Sequence, residues 1–131
     1  MATPKPDDNL TPTQLSILQA VWAAGPDGAT VAAIWDHLAQ QREVARTTVL
    51  TQVQRLQKRG WLRRDDQDGV AVYRAALDRD RAEQLLARRF VADFFAGSPA
   101  GLVKSLLGGS RLGKDELREL RSLIERAEKG R

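Results

Sequence analysis

Ala45-Arg46-Thr47-Thr48-Val49-Leu50-Thr51-Gln52-Val53-Gln54-Arg55-Leu56-Gln57-Lys58-Arg59-Gly60, followed at once by Trp61-Leu62-Arg63-Arg64, is the stretch on which the fold turns. Val49, Leu50, Val53 and Leu56 fall on one side of a helix, while Thr48, Thr51, Gln52, Arg55 and Arg59 share the other. The spacing predicts a helix over about 45–59, closed by Gly60 in the left-handed conformation that glycine adopts without steric penalty. Two strand-like runs follow, 61–64 and 70–74, separated by Asp65-Asp66-Gln67-Asp68-Gly69, which reads as a hairpin with a glycine-assisted turn.

Upstream, Leu10-Thr11-Pro12-Thr13-Gln14-Leu15 carries the signals of a helix start. Thr11 is the N-cap, Pro12 stands at the first helical position, Gln14 closes a capping box, and Leu10 is placed to staple against Leu15. Leu15, Leu18, Val21 and Trp22 form the expected apolar face, ended by Gly25-Pro26. Thr30 then caps a second helix whose Val31, Ile34, Trp35 and Leu38 repeat at i, i+3, i+4 and i+7. Three short helices and a hairpin, in that order, predict a winged helix-turn-helix over residues 10–78, with a flexible tail at 1–9.

Downstream of Asp78 the sequence turns strongly helical. Ala82, Leu86, Phe90 and Phe94 step by four, with Leu85, Val91 and Phe95 beside them. Ser98-Pro99 opens a short helix holding Leu102, Val103, Leu106 and Leu107, ended by Gly108-Gly109. A last helix over about 114–128 gathers Leu117, Leu120, Leu123, Ile124 and Ala127. So few residues carry more apolar face than they can bury alone. Residues 79–131 are therefore expected to form a helical dimerisation region, with Leu86, Phe90, Phe94, Leu102, Leu106, Leu117, Leu120 and Ile124 at its seam. The fold class is mainly α with one small β-hairpin.

Charge placement points to the partner. The chain has 21 Lys and Arg against 17 Asp and Glu, a net charge of +4. Residues 1–78 are neutral overall, yet 42–64 hold six Arg and one Lys against the single acid Glu43. A basic segment inside a neutral domain is the footprint of a local phosphate-binding face. A helix entering a major groove needs an Arg and short polar side chains near its start for base edges, and cations farther along for phosphates. Arg46, Thr47, Thr48 and Thr51 fit the first need; Arg55, Lys58, Arg59, Arg63, Arg64 and Arg74 fit the second.

Other chemistries find little to work with. The chain has no cysteine and one histidine, His37, so thiolate and histidine-cluster metal sites are both excluded, and no cofactor is expected. Asp65 and Asp66 lie in the expected turn with no catalytic companion. Trp22 and Trp35 sit on apolar helix faces, so the three tryptophans read as core and not as stacking platforms. No stretch has the roughly 20 apolar residues of a membrane span and no secretion signal stands at the start, so a cytoplasmic protein without a catalytic site is expected. Two other readings compete with operator binding: a small-molecule-sensing winged-helix regulator with a ligand pocket at its dimer interface, and a winged helix used as a protein-interaction module.

Several fragments carry a family resemblance: Leu10-Thr11-Pro12, the run 45–51 leading to Arg55-Leu56-Gln57-Lys58-Arg59-Gly60, Val72-Tyr73-Arg74, Phe94-Phe95-Ala96-Gly97-Ser98-Pro99, and Asp115-Glu116-Leu117-Arg118-Glu119-Leu120. As an ordered set over about 10–128, the chain resembles the penicillinase-repressor family. The resemblance implies a dimeric repressor of beta-lactamase, methicillin-resistance or copper-homeostasis genes. Its winged helix would bind double-stranded operator DNA with half-sites similar to TACA, and its C-terminal helices would join the subunits. The base-reading positions would be Arg46, Thr47, Thr48 and Thr51, with the wing at 63–74. In the antibiotic-responsive branch a membrane-bound sensor leads to cleavage of the repressor. The chain departs from the family in two places: it lacks the cysteines that copper-responsive members use, and Ser105-Leu106 stands where resistance-type repressors have a scissile Asn-Phe bond.

Overall fold

The computed structural model describes residues 9–109 and 112–130. Apart from Asn9, the expected N-terminal tail lies outside the described residues. The chain divides into two compact units, Met1–Arg89 and Phe90–Arg131.

The first unit contains α1 (Pro12–Ala24), α2 (Val31–Ala39), α3 (Arg46–Lys58), β1 (Leu62–Gln67), β2 (Val70–Ala75) and the start of α4 (Arg79–Phe94). This is a winged helix-turn-helix. Local chemistry sets the boundaries. Thr11 Oγ1 accepts from the Gln14 amide at 3.1 Å and Gln14 Oε1 accepts from the Thr11 amide at 3.1 Å, a complete capping box. Thr30 caps α2 through the Ala33 amide, and Asp78 accepts from the Arg81 amide at the start of α4. At the end of α3, Gly60 has φ +85°. The Gly60 amide donates to Gln57 and the Trp61 amide to Leu56, so the last carbonyls are satisfied by a Schellman turn. Leu56 and Trp61, both fully buried, are the apolar pair that accompanies such a turn.

Ile17, Leu18 and Val21 of α1, Ile34 and Leu38 of α2, and Val49, Val53 and Leu56 of α3 meet in one core, which Trp61, Leu62 and Tyr73 close from the hairpin side. Ala82 of α4 joins this core, and Leu85 packs against it. Each such large side chain contributes roughly 1.5–3 kcal/mol on burial. The face of α1 is rotated from the expected one: Gln14, Ile17, Leu18 and Val21 line the interior, while Leu15 is only half-buried. The row 14, 17, 18, 21 keeps the i, i+3, i+4, i+7 spacing and lets Ile17 replace Leu15 in the core. Leu50 likewise leaves the expected apolar side of α3 and stands exposed, because it lies about 100° around the helix from Val49 and off the row Val49, Val53, Leu56 that faces the core.

The hairpin is longer and its turn tighter than the sequence suggests. β1 and β2 pair antiparallel from Leu62 opposite Ala75 to Gln67 opposite Val70. Only Asp68 (φ +51°) and Gly69 (φ +82°) remain as the loop. Positive φ at both residues is the turn whose twist matches a hairpin, and it moves Asp65 and Asp66 from the expected turn onto β1. A further connection was not legible beforehand. Ala29 bridges Tyr73 by two backbone hydrogen bonds of 2.9 and 2.8 Å, giving the hairpin a short third neighbour.

The second unit holds the end of α4, then α5 (Pro99–Gly108) and α6 (Lys114–Lys129). Ser98 caps α5 by accepting from the Gly101 amide at 2.9 Å. Among the described residues, α5 and α6 contain no buried side chain, and Val91 is the buried apolar residue of the unit. No single helix among the described residues is long and apolar enough to cross a membrane.

Candidate nucleic-acid interface

Burial of Val49, Val53 and Leu56 turns the opposite face of α3 outward. Arg46, Thr47 and Thr48 in its first turn are all exposed. Ala45 occupies the N-cap, offers no side-chain cap, and the first turn contains no acidic residue, so the leading amides stay open to an external acceptor. Thr51 is exposed and its hydroxyl donates to the Thr47 carbonyl at 3.0 Å, which leaves an acceptor oxygen and a methyl group for any partner. Farther along, Thr51, Gln54, Arg55 and Lys58 follow at i, i+3, i+4 and i+7 and line one shallow hollow.

The remaining cations of the basic segment are held differently. Arg59 is half-buried, and its guanidinium donates to Gln14 Oε1 at 3.0 Å and to the Asn9 carbonyl. Arg42 reaches the Thr13 hydroxyl at 3.3 Å. On the hairpin, Arg64 pairs with Asp66 at 3.2 Å. Arg74 pairs with Asp65 at 3.0 Å and donates to the Pro26 carbonyl at 3.0 Å. Arg63 stands exposed on β1. Within the hairpin Arg63, Arg64 and Arg74 are matched by Asp65, Asp66 and Asp68, so the wing is balanced in charge and the surplus of positive charge lies on α3. The sequence alone assigns Arg55, Lys58, Arg59, Arg63, Arg64 and Arg74 the same phosphate-holding role. The structure separates Arg46, Arg55, Lys58 and Arg63 from those tied to the protein's own oxygens.

The tryptophans are internal. Trp22 Nε1 donates to the Leu77 carbonyl at 3.0 Å and Trp35 Nε1 to the Val44 carbonyl at 2.8 Å. Trp61 is buried, and its Nε1 has no hydrogen-bond partner among the described residues. Gln14, read from the sequence only as the closing residue of a capping box, has a second role. It is buried, and its Nε2 donates to Gln52 Oε1 at 3.0 Å, joining α1 to α3. The signal was present, since Gln14 shares the spacing of Ile17, Leu18 and Val21.

The residues expected at a dimer seam lie on α4, α5 and α6. Leu86, Leu102 and Leu120 are half-buried, while Phe90, Phe94, Leu106, Leu117 and Ile124 are exposed. Phe90 contacts Phe94 and Phe95 with ring centroids 5.0 and 5.8 Å apart. Between α5 and α6 a groove is lined by Val103, Leu107, Leu117, Leu120 and Ile124.

Compared with models of known families, residues 10–126 match the one described as penicillinase repressor. No curated protein matches the chain.

Proposed function

Since the chain belongs to the penicillinase-repressor family, whose members are winged-helix transcriptional repressors, we propose that it binds two-fold symmetric operator DNA as a homodimer in the cytoplasm and represses resistance or stress genes. One observation carries this reading. The outward face of α3 places Arg46, Thr47, Thr48 and Thr51 at its leading end and Arg55 and Lys58 behind them, uncovered by any other element of that unit. The leading residues read base edges, where Arg bonds guanine and a Thr methyl meets a thymine methyl. Arg55, Lys58 and Arg63 contact phosphates. The apolar side chains left exposed on α4, α5 and α6 support pairing through the C-terminal helices. Ser105 and Leu106 are both exposed on α5, where a sensor-dependent protease would have to cut. Neither role needs catalysis by the repressor itself.

Footprinting on a duplex selected by the protein from a random-sequence pool is the test. Protection in two half-sites related by a dyad, with affinity falling steeply as salt rises, is the expected result. Sequence-independent coating of the duplex would overturn the proposal.

The two roles along α3 and the wing separate by mutation. Arg46→Ala is expected to weaken the selected duplex by roughly 1–3 kcal/mol more than a scrambled one. Arg63→Ala is expected to weaken both alike and to flatten the plot of log affinity against log salt by about 0.9. An unchanged ratio of specific to non-specific affinity in Arg46→Ala would show that α3 does not read bases.

A further inference from the structure

The buried amide of Gln14 is the point where α1 and α3 are joined by polar contacts. Its side chain is 5% exposed. Oε1 accepts from the Thr11 amide at 3.1 Å and from Arg59 Nη1 at 3.0 Å, while Nε2 donates to Gln52 Oε1 at 3.0 Å. Gln52 lies on α3 and Arg59 is its C-cap residue, two turns on, so the contacts act as two pins along one edge of that helix. The apolar contacts beneath α3 are non-directional, whereas these hydrogen bonds constrain both the distance and the angle between the two helices. Arg59 also holds the Asn9 carbonyl, which fastens the chain leading into α1 against the end of α3.

We infer that Gln14 is a positioning residue that sets the angle of α3 for base reading, and that Arg59 serves this junction instead of a phosphate. The inference rests on the DNA-binding reading of α3 and adds to it two residues that determine specificity without touching DNA. Physics gives the junction a distinct signature. Base-edge hydrogen bonds are lost when α3 tilts by a fraction of an ångström, whereas Coulomb attraction between its cations and phosphates falls only slowly with distance. A loosened junction therefore lowers specificity and leaves the salt dependence in place. Simple destabilisation would behave otherwise, because a smaller folded fraction weakens specific and non-specific binding by the same factor.

The experiment uses the full chain, the duplex that wild-type protein selects from a random pool, and a scrambled duplex of equal length, each titrated at several salt concentrations. Gln14→Met should reduce the ratio of specific to non-specific affinity by about tenfold with an unchanged salt slope. Gln14→Glu should restore the ratio, because a carboxylate still accepts from the Thr11 amide and Arg59 while Gln52 turns its own amide to donate. Arg59→Ala, at a half-buried position, should lower the ratio with the slope of wild type, in contrast to Arg55→Ala, which should flatten the slope by about 0.9. The inference is overturned if Arg59→Ala flattens the slope as Arg55→Ala does, or if Gln14→Met is folded and keeps the wild-type ratio. Should Gln14→Met not fold, the ratio and slope of Arg59→Ala decide alone. A wild-type protein that selects no sequence and responds to neither Arg46→Ala nor Arg55→Ala would defeat the DNA reading itself and this inference with it.

Discussion

Phe94→Glu is expected to convert the proposed dimer to monomers and to lower affinity for a two-half-site operator by about 10²–10⁴-fold, the loss that follows when two linked half-site contacts become independent. Within one protomer the substitution should cost little, because Phe94 is already 70% exposed. What it removes is one ring of the Phe90, Phe94 and Phe95 group. In a dimer closed over these rings, the carboxylate would be taken out of water without a partner, a penalty of several kcal/mol that opposes pairing. The apolar side chains exposed on these helices are what supports the proposed pairing. Leu106 is 50% and Ile124 55% exposed, and among the described residues neither α5 nor α6 has a buried side chain. Sedimentation equilibrium at micromolar concentration reads the outcome directly. A wild-type monomer, or a Phe94→Glu variant that stays dimeric, would remove the C-terminal helices from the interface.

Gly28→Ala should destabilise the winged helix by about 2–5 kcal/mol, combining a left-handed backbone penalty with overpacking of a closed site. Gly28 has φ +79°, and a Cβ there would stand 2.7 Å from the Tyr73 carbonyl oxygen and 2.8 Å from Val72 Cγ1. Neither neighbour moves freely. Tyr73 is paired to Ala29 by two backbone bonds, and Val72 and Tyr73 are both buried. The wing would have to leave its third neighbour to make room. Gly69 supplies the control, since it has φ +82° and open space where its Cβ would fall. Gly69→Ala should therefore show the backbone penalty alone, about 1–2 kcal/mol. Thermal unfolding should place the Gly28→Ala midpoint more than about 10 °C below wild type. Equal midpoints for the two variants would mean that the close approach to β2 carries no weight.

Features set by residues three or four apart were legible before any coordinates. The capping box of Thr11 and Gln14, the caps at Thr30 and Ser98, the closure of α3 at Gly60 and the outward face of Arg46, Thr48, Thr51 and Arg55 are all of this kind. Each depends on the geometry of a single helix, which the order of residues specifies. The hairpin was visible for the same reason, although its true loop is the pair Asp68 and Gly69 and not the longer acidic run.

Which cations remain available was not written in that local pattern. Arg59 and Arg55 look alike along the chain, one helical turn apart, yet Arg59 finds Gln14 across 45 positions of sequence while Arg55 faces outward. Arg74 likewise meets Asp65 through the register of the hairpin and Pro26 across 48 positions. The rotation of α1 that exchanges Leu15 for Ile17, the exposure of Leu50 and the bridge from Ala29 to Tyr73 also arise between elements. Periodicity shows that a helix has an apolar side, but which of its residues reach the interior follows from how the side chains of three helices and a hairpin fill one volume at close-packed density. That shared packing brought a buried glutamine and a distant arginine within 3.0 Å of each other.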